Sequence, residues 1–258
     1  MRPNRLKQLW SEGRTMINGW LTIPSAWTAE LLAHAGFDAL TLDLQHGLID
    51  DQTALAMLQA ISTSEAAPLV RLPWNDPAAV MRALDAGAYG VICPMINTRA
   101  EAEAFAGACR YPPRGYRSYG PIRAAVYAGS DYFQQADDTI LALALIETAE
   151  ALANVAAILA TPGLDGIYIG TVDLSISLGL AGLGDLNDPR LREVVTTIIN
   201  QARSSDRIIG MHAADPAQAR TLAGWGVSLI TVLTDSSALQ ASAAAALAQT
   251  RATLASTP

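Results

Sequence analysis

Residues 141–173, LALALIETAEALANVAAILATPGLDGIYIGTVD, decide the fold. LALALI is an apolar run of strand length, and it stops at Glu147, the first charge the run meets. Residues 148–160 then place apolar side chains at helical spacing. Gly163 marks the turn beyond, as glycines past helix C-termini do. GIYIG, 166–170, is a second buried strand, and Asp173 lies three residues past Gly170. Strand, helix and strand in this order, with both strands apolar throughout, make a parallel βαβ unit. Glu147 and Asp173 both follow the C-terminal ends of their strands.

The same rhythm runs outward in both directions. Strand-like runs recur at 17–23, 38–44, 67–72, 90–95, 141–147, 166–170, 208–213 and 229–234, eight in all. Helical runs at 25–35, 51–63, 76–86, 98–109, 148–160, 189–205, 215–224 and 236–252 follow nearly all of them. Ser25, Asp76, Thr98 and Asp215 stand where N-caps belong, with Pro77 and Pro216 at the tolerated first helical position. Gly36, Gly87, Gly163 and Gly226 punctuate the returns to strand. Eight alternating units predict an α/β fold, a (β/α)8 TIM barrel, and 258 residues match its usual size of roughly 250. No glycine-rich dinucleotide fingerprint follows the first strand, which argues against a Rossmann sheet. No linker is visible, so residues 1–258 read as one domain. Two stretches break the rhythm. The segment 110–139, rich in Arg, Tyr, Pro and Gly, is expected to be a long loop serving as a lid or interface on the catalytic face. The segment 174–188 is expected to be a second loop on that face.

Composition narrows the partners. Half the chain is hydrophobic and the net charge is −7, which argues against nucleic acid as a partner, since phosphate binding wants a basic face. No apolar stretch is long enough to span a membrane, and the polar N-terminus lacks a signal-peptide core. Two cysteines, Cys93 and Cys109, lie in apolar or helical runs and read as small buried hydrophobes, which fits the cytoplasm.

Four polar residues at strand ends carry the chemistry. In a parallel barrel such ends converge on one face. Glu147 and Asp173, on neighbouring strands, form a two-carboxylate site for a hard divalent cation such as Mg²⁺. The alternative is that they cap a helix and a turn. Arg71, the lone charge of APLVRLPW, points to an anion or to a carboxylate partner, Asp43 or Glu147. His46 ends DLQHG, three residues after Asp43, which could hold a ring nitrogen and leave the histidine as general base. Gly170, Thr171, Val172 and Asp173 read as a tight turn whose N–H groups make an anion nest beside the metal. His212 ends the seventh strand and could reach a substrate or be structural. Asp85 ends the third helical run, on the wrong face of its own barrel, and could serve a site only across a subunit contact. Lys7 is the only lysine, so a Schiff-base route has no positioned amine.

Five segments, GFDALTLDLQHGLID, LVRLPWNDP, GAYGVICPMINTRAEAEA, RYPPRGYRSYGP and IETAEALANVAAILATPGLDGIYIGTVDLSISLG, carry a family resemblance. They resemble the metal-dependent (class II) pyruvate aldolases of the 4-hydroxy-2-oxoheptanedioate and 2-keto-3-deoxy-sugar-acid aldolase family, relatives of macrophomate synthase. The resemblance implies reversible cleavage of 4-hydroxy-2-oxo acids to pyruvate, or a related 2-oxo acid such as hydroxypyruvate, and an aldehyde, through a metal-stabilised enolate. It implies Glu147 and Asp173 as ligands of Mg²⁺, Mn²⁺ or Co²⁺. It implies Arg71 as the residue that holds the 2-oxo acid, His46 as the base, and Asp85 as its partner from a neighbouring subunit. The Val172 and Asp173 N–H groups would form the carboxylate nest, and Trp20 a wall of the site. It implies a homo-oligomer, a hexamer, with the C-terminal helix exchanged between subunits. Leu145, Gln45 and Thr171 depart from the residues common in the family, which leaves the metal chemistry intact and bears on the aldehyde. Two rival functions are a malyl-thioester or citrate lyase β-type enzyme, and a non-catalytic barrel for assembly or ligand sensing.

Overall fold

A computed structural model of the protein describes residues 1–255; the last three positions of the expected domain lie outside the described residues. Eight parallel strands close into a barrel in chain order. They are β1 (Met16–Leu21), β2 (Ala39–Asp43), β3 (Ala67–Arg71), β4 (Gly90–Cys93), β5 (Leu141–Ile146), β6 (Gly166–Ile169), β7 (Ile208–His212) and β8 (Leu229–Thr234). The helices are α1 (Arg5–Ser11), α2 (Ala26–Ala33), α3 (Asp51–Ile61), α4 (Pro77–Asp85), α5 (Arg99–Ala108) and α6 (Ile122–Ala128). Then follow α7 (Tyr132–Thr139), α8 (Ala149–Leu159), α9 (Thr171–Ser177), α10 (Pro189–Ser204), α11 (Pro216–Trp225) and α12 (Asp235–Ala255). All eight expected strands are present. Ser25, Asp76, Thr98 and Asp215 cap their helices through their side chains. Gly36, Gly87, Gly163 and Gly226 all adopt positive φ. Among the described residues no helix is long and apolar enough to cross a membrane. Cys93 and Cys109 are free and buried, as expected.

Strand parity sorts the core. On β5, Leu141, Leu143 and Leu145 pack inside the barrel with Trp20, Leu69, Ile92, Tyr168, Ile208 and Leu229. Ala142, Ala144 and Ile146 face the helices. Both faces of the strand are therefore apolar, as a parallel strand under helices requires. The same parity sends positions 20, 43, 71, 147 and 212 toward the barrel axis at the C-terminal rim.

Three expectations are corrected. Residues 5–11 form a helix that the sequence reading missed: Asn4 caps it, and Leu6 and Leu9 plug the N-terminal mouth of the barrel. The stretch 110–139 is not an irregular loop, because α6 and α7 occupy much of it. Nor does it lie on the catalytic face. It follows α5 and precedes β5, so it begins at the N-terminal end of the barrel. It stays there, with Asn4 Nδ2 donating to Thr139 O (2.8 Å) and Tyr89 O (3.1 Å) and Arg110 Nη1 donating to Ile140 O (3.1 Å). Finally, residues 171–173 are the first turn of α9 rather than a free tight turn, and α9 takes up the start of the expected 174–188 loop.

Candidate active site

The inward-facing residues at the C-terminal rim surround a cavity of about 310 Å³. Its walls include Trp20, Arg71, Leu145, Glu147, Tyr168, Gly170 to Asp173 and His212. Trp20, Arg71, Glu147, Asp173 and His212, chosen from five different strands or their ends, thus share one space.

Glu147 is buried, 3% exposed. Its Oε1 accepts the Met95 N–H at 2.8 Å, from a residue held at φ 56°. Among the described residues Oε2 has no hydrogen-bond partner, and it lies against Gly170, where a Cβ would fall 2.8 Å from it. Glycine is the only residue that leaves this room. Burial pushes the Glu147 carboxyl up to about 7, the Met95 N–H and Arg71 oppose that, and the nearby charge of Asp173 adds to it. A buried carboxylate beside a second one, with one oxygen idle, suits a cation. Among the described residues no third His, Cys, Asp or Glu joins the pair. Two hard oxygen ligands that leave the rest of the shell to water and substrate fit an Mg²⁺-like ion better than zinc.

Asp43 and Arg71 are register partners on β2 and β3. Arg71 Nε donates to Asp43 Oδ1 at 2.8 Å and Nη2 to Oδ2 at 2.5 Å. Trp20 Nε1 donates to Oδ2 at 3.1 Å, and the Gln45 and His46 backbone N–H groups donate to Oδ1. Burial raises the Asp43 pKa, but Arg71 and the other donors outweigh it and hold the carboxyl below its usual value. Of the two partners the sequence left open for Arg71, Asp43 is the bonded one. The expected use of Asp43 is corrected: it grips the His46 main chain, not its ring, because five donors already fill the carboxylate. His46 itself is exposed, while the Gln45 Oε1 beside it is buried without a partner. Gly170 caps α9 without a side chain, so the first N–H groups of that helix keep their capacity for an anion.

His212 lines the cavity with its ring edge-on to Trp20, centroids 4.7 Å apart. Its Nδ1 is 2.8 Å from the Tyr168 hydroxyl. Sequence reasoning missed Tyr168. The available signal was Gly210 in IIGMH: a Cβ there would lie 2.2 Å from the Tyr168 ring. A glycine inside a strand marks such a close approach. Asp85 is far from this rim. It ends α4, and Arg117 Nη2 donates to it at 2.6 Å from the inserted segment.

A family model described as HpcH/HpaI aldolase/citrate lyase matches residues 16–241. The chain belongs to that family. It is a carbon–carbon lyase by that membership, and the resemblance seen in its motifs holds across the barrel. HpcH/HpaI relatives include a hydroxypyruvate/pyruvate aldolase of Rhizorhabdus wittichii, 41% identical over 96% of this chain and 99% of that protein. A 4-hydroxy-2-oxo-heptane-1,7-dioate aldolase of Salmonella dublin is 36% identical over 95% of this chain and 94% of its own. The crystal structure of macrophomate synthase superposes with a TM-score of 0.87 at 25% identity, covering 98% of this chain and 91% of that one.

Proposed function

We propose that this HpcH/HpaI enzyme is a divalent-metal-dependent aldolase that cleaves 4-hydroxy-2-oxo acids to pyruvate, or hydroxypyruvate, and an aldehyde, and runs the reverse addition. The observation that carries the reading is the Glu147–Asp173 pair facing Arg71 across one cavity. The names of the two curated relatives agree with it.

Glu147 and Asp173 would hold Mg²⁺, Mn²⁺ or Co²⁺. Such an ion, when bound, supplies Lewis acidity toward the oxo group of the substrate. The chain does the rest. The uncapped N–H groups of Val172 and Asp173 take the substrate carboxylate. Arg71, fixed by its fork to Asp43, offers its remaining N–H groups to the oxygen that gains charge as the carbon–carbon bond breaks; preorganised stabilisation of this kind is usually the largest catalytic contribution. His46 takes the proton of the C4 hydroxyl in cleavage and returns it in addition. Trp20 and Leu145 shut water from one wall.

Assembly enters the same reading. Beyond Asp235, no described residue of α12 is buried, and Leu239, Leu247 and Leu254 are exposed along it. Asp235 anchors its base by accepting from Thr22 and Ile23 N–H groups (2.9 and 3.1 Å). An apolar helix fixed at one end and bare along its length suits exchange with a second copy. We take the oligomer to be a hexamer, with Asp85 serving a neighbour's His46, and the compartment to be the cytoplasm, which suits two free thiols.

A screen of pyruvate and hydroxypyruvate against a panel of aldehydes, with Mg²⁺, Mn²⁺ and Co²⁺ and after chelation, tests the reading. Metal-dependent formation of 4-hydroxy-2-oxo acids supports it. Activity on malyl or citryl thioesters alone would assign the lyase alternative, and no turnover of any kind a non-catalytic barrel.

A further inference from the structure

Below the cavity a chain of hydrogen bonds runs from the barrel core to His212, and its direction can be read. Asn18 is fully buried on β1. Its amide is satisfied when the nitrogen faces the carbonyl oxygens of Ala39 (3.1 Å) and Gly19 (3.2 Å) and the oxygen faces Thr231 Oγ1 (2.7 Å). Carbonyl oxygens only accept, so the amide hydrogens belong there. The Thr231 hydroxyl therefore donates to Asn18. Tyr168 Oη lies 2.7 Å from Thr231 Oγ1, whose one proton is spent, so the tyrosine donates. The tyrosine proton is then spent as well. At the 2.8 Å contact with His212 it must accept, and Nδ1 carries the hydrogen.

A neutral imidazole has one N–H, so Nε2 keeps a lone pair. The ring is neutral near pH 7: although His212 is exposed at the rim, loss of water around its inner side, and next the charge of Arg71, lower its pKa to about 4, with Asp43 opposing. Nε2 has no hydrogen-bond partner among the described residues, and the ring lines the cavity. The Trp20 N–H beside it is already given to Asp43. His212 is not a third ligand of the carboxylate pair, since no group of three or more such residues forms. The cavity thus contains an idle, uncharged acceptor on a wall otherwise made of Trp20, Tyr168 and Leu145.

We infer that His212 is a specificity residue that accepts a substrate hydroxyl carried on, or next to, a carbon that joins the new bond. The inference rests on the aldolase reading. A 2-oxo acid and an aldehyde offer acceptors only, and in this reading the C4 hydroxyl of their adduct is given to His46, so the donor left for Nε2 is a further hydroxyl. It comes from C3 of a hydroxypyruvate-type 2-oxo acid or from C2 of a hydroxyaldehyde. Tyr168 is the positioning residue that sets the tautomer.

Two measurements test this. In protein labelled with ¹⁵N-histidine, with His212 assigned against His212→Leu, the spectrum near pH 7 should show the Nδ1–H tautomer. Adding hydroxypyruvate or a 2-hydroxyaldehyde should shift the Nε2 resonance, while pyruvate and the unsubstituted aldehyde should not. An Nε2–H tautomer, or no response to either hydroxylated compound, overturns the inference whether or not the enzyme turns over. In kinetics, His212→Leu should cut kcat/KM for the hydroxylated partner relative to its unsubstituted analogue by roughly 5- to 100-fold. Tyr168→Phe should cut it in the same sense. Comparing the four substrate pairings tells which partner supplies the hydroxyl. An equal loss on all pairings makes His212 structural only. A wild type without turnover on any pairing defeats the aldolase reading instead, and the spectra still decide the tautomer and the hydroxyl contact.

Discussion

Asp43 and Arg71 face each other on adjacent strands, and the carboxylate receives the guanidinium through both of its oxygens. The pair aims a cation at the cavity while withholding most of its freedom to move. Arg71 also lies over the Trp20 ring, its Cζ 5.1 Å from the ring centroid. The arginine is held from below and from the side, which leaves its unbonded edge for a substrate.

Asp43→Asn should destabilise the protein by about 3–5 kcal/mol, the usual cost of stranding one member of a buried pair. Urea unfolding would measure it. Catalysis should fall as well, since Arg71 loses its fixed direction. Unchanged stability together with unchanged kcat would mean that the fork does neither job.

Arg71→Lys keeps a charge but loses the planar fork. It should lower kcat/KM by about 10²-fold or more, a loss of the size seen when one oxyanion donor is removed. Arg71→Ala should in addition stop proton exchange at C3 of pyruvate. Normal exchange in Arg71→Ala would confine the residue to holding the barrel.

Metal affinity should fall as pH drops through about 7, because protonated Glu147 cannot ligate and burial has raised its pKa to that region. The sign follows directly: a raised carboxyl pKa means that more protons compete at a given pH. Titration calorimetry from pH 6 to 8 should show tighter binding at the higher pH with proton release at the lower. Affinity independent of pH across that range would contradict the assignment of Glu147 as a ligand.

Much of this site is legible in the sequence because strand parity is periodic. LALALI alternates inner and outer positions, so Glu147 falls on the inner track two residues after Leu145. Arg71 and His212 follow from the same count. What parity does not give is which residues meet across strands. The Asp43–Arg71 register depends on how two strands slide, and the sequence left Glu147 open as an equal partner. The place of the 110–139 segment was misread although its position after α5 already assigns it to the far end of the barrel. The helix α1 was missed because a short polar segment with two buried leucines has little periodicity of its own. Tyr168 stayed hidden because a tyrosine in GIYIG reads as ordinary core, and its role rests on Gly210 from another strand.

Assembly has its own test. Asp85 is tied to the inserted segment through Arg117, at the end of the barrel opposite the His46 rim. If each Asp85 serves a neighbour, His46→Ala and Asp85→Ala chains are each poor enzymes, and mixed assemblies regain activity in the sites where both residues are intact. His46→Ala alone should lose about 10²–10⁴-fold in rate with metal affinity kept. No recovery in verified hybrids, or a fully active monomer in sedimentation, would refute the shared site.

The central claim is that this cavity makes an enolate from a 2-oxo acid with a divalent ion held by Glu147 and Asp173. Deuterium uptake at C3 of pyruvate, followed by NMR without any aldehyde, isolates that step. Exchange should be rapid with Mg²⁺ or Mn²⁺, vanish on chelation, return on adding metal, and be absent in Glu147→Gln. Exchange that survives exhaustive chelation, or that persists in Glu147→Gln, would contradict the account.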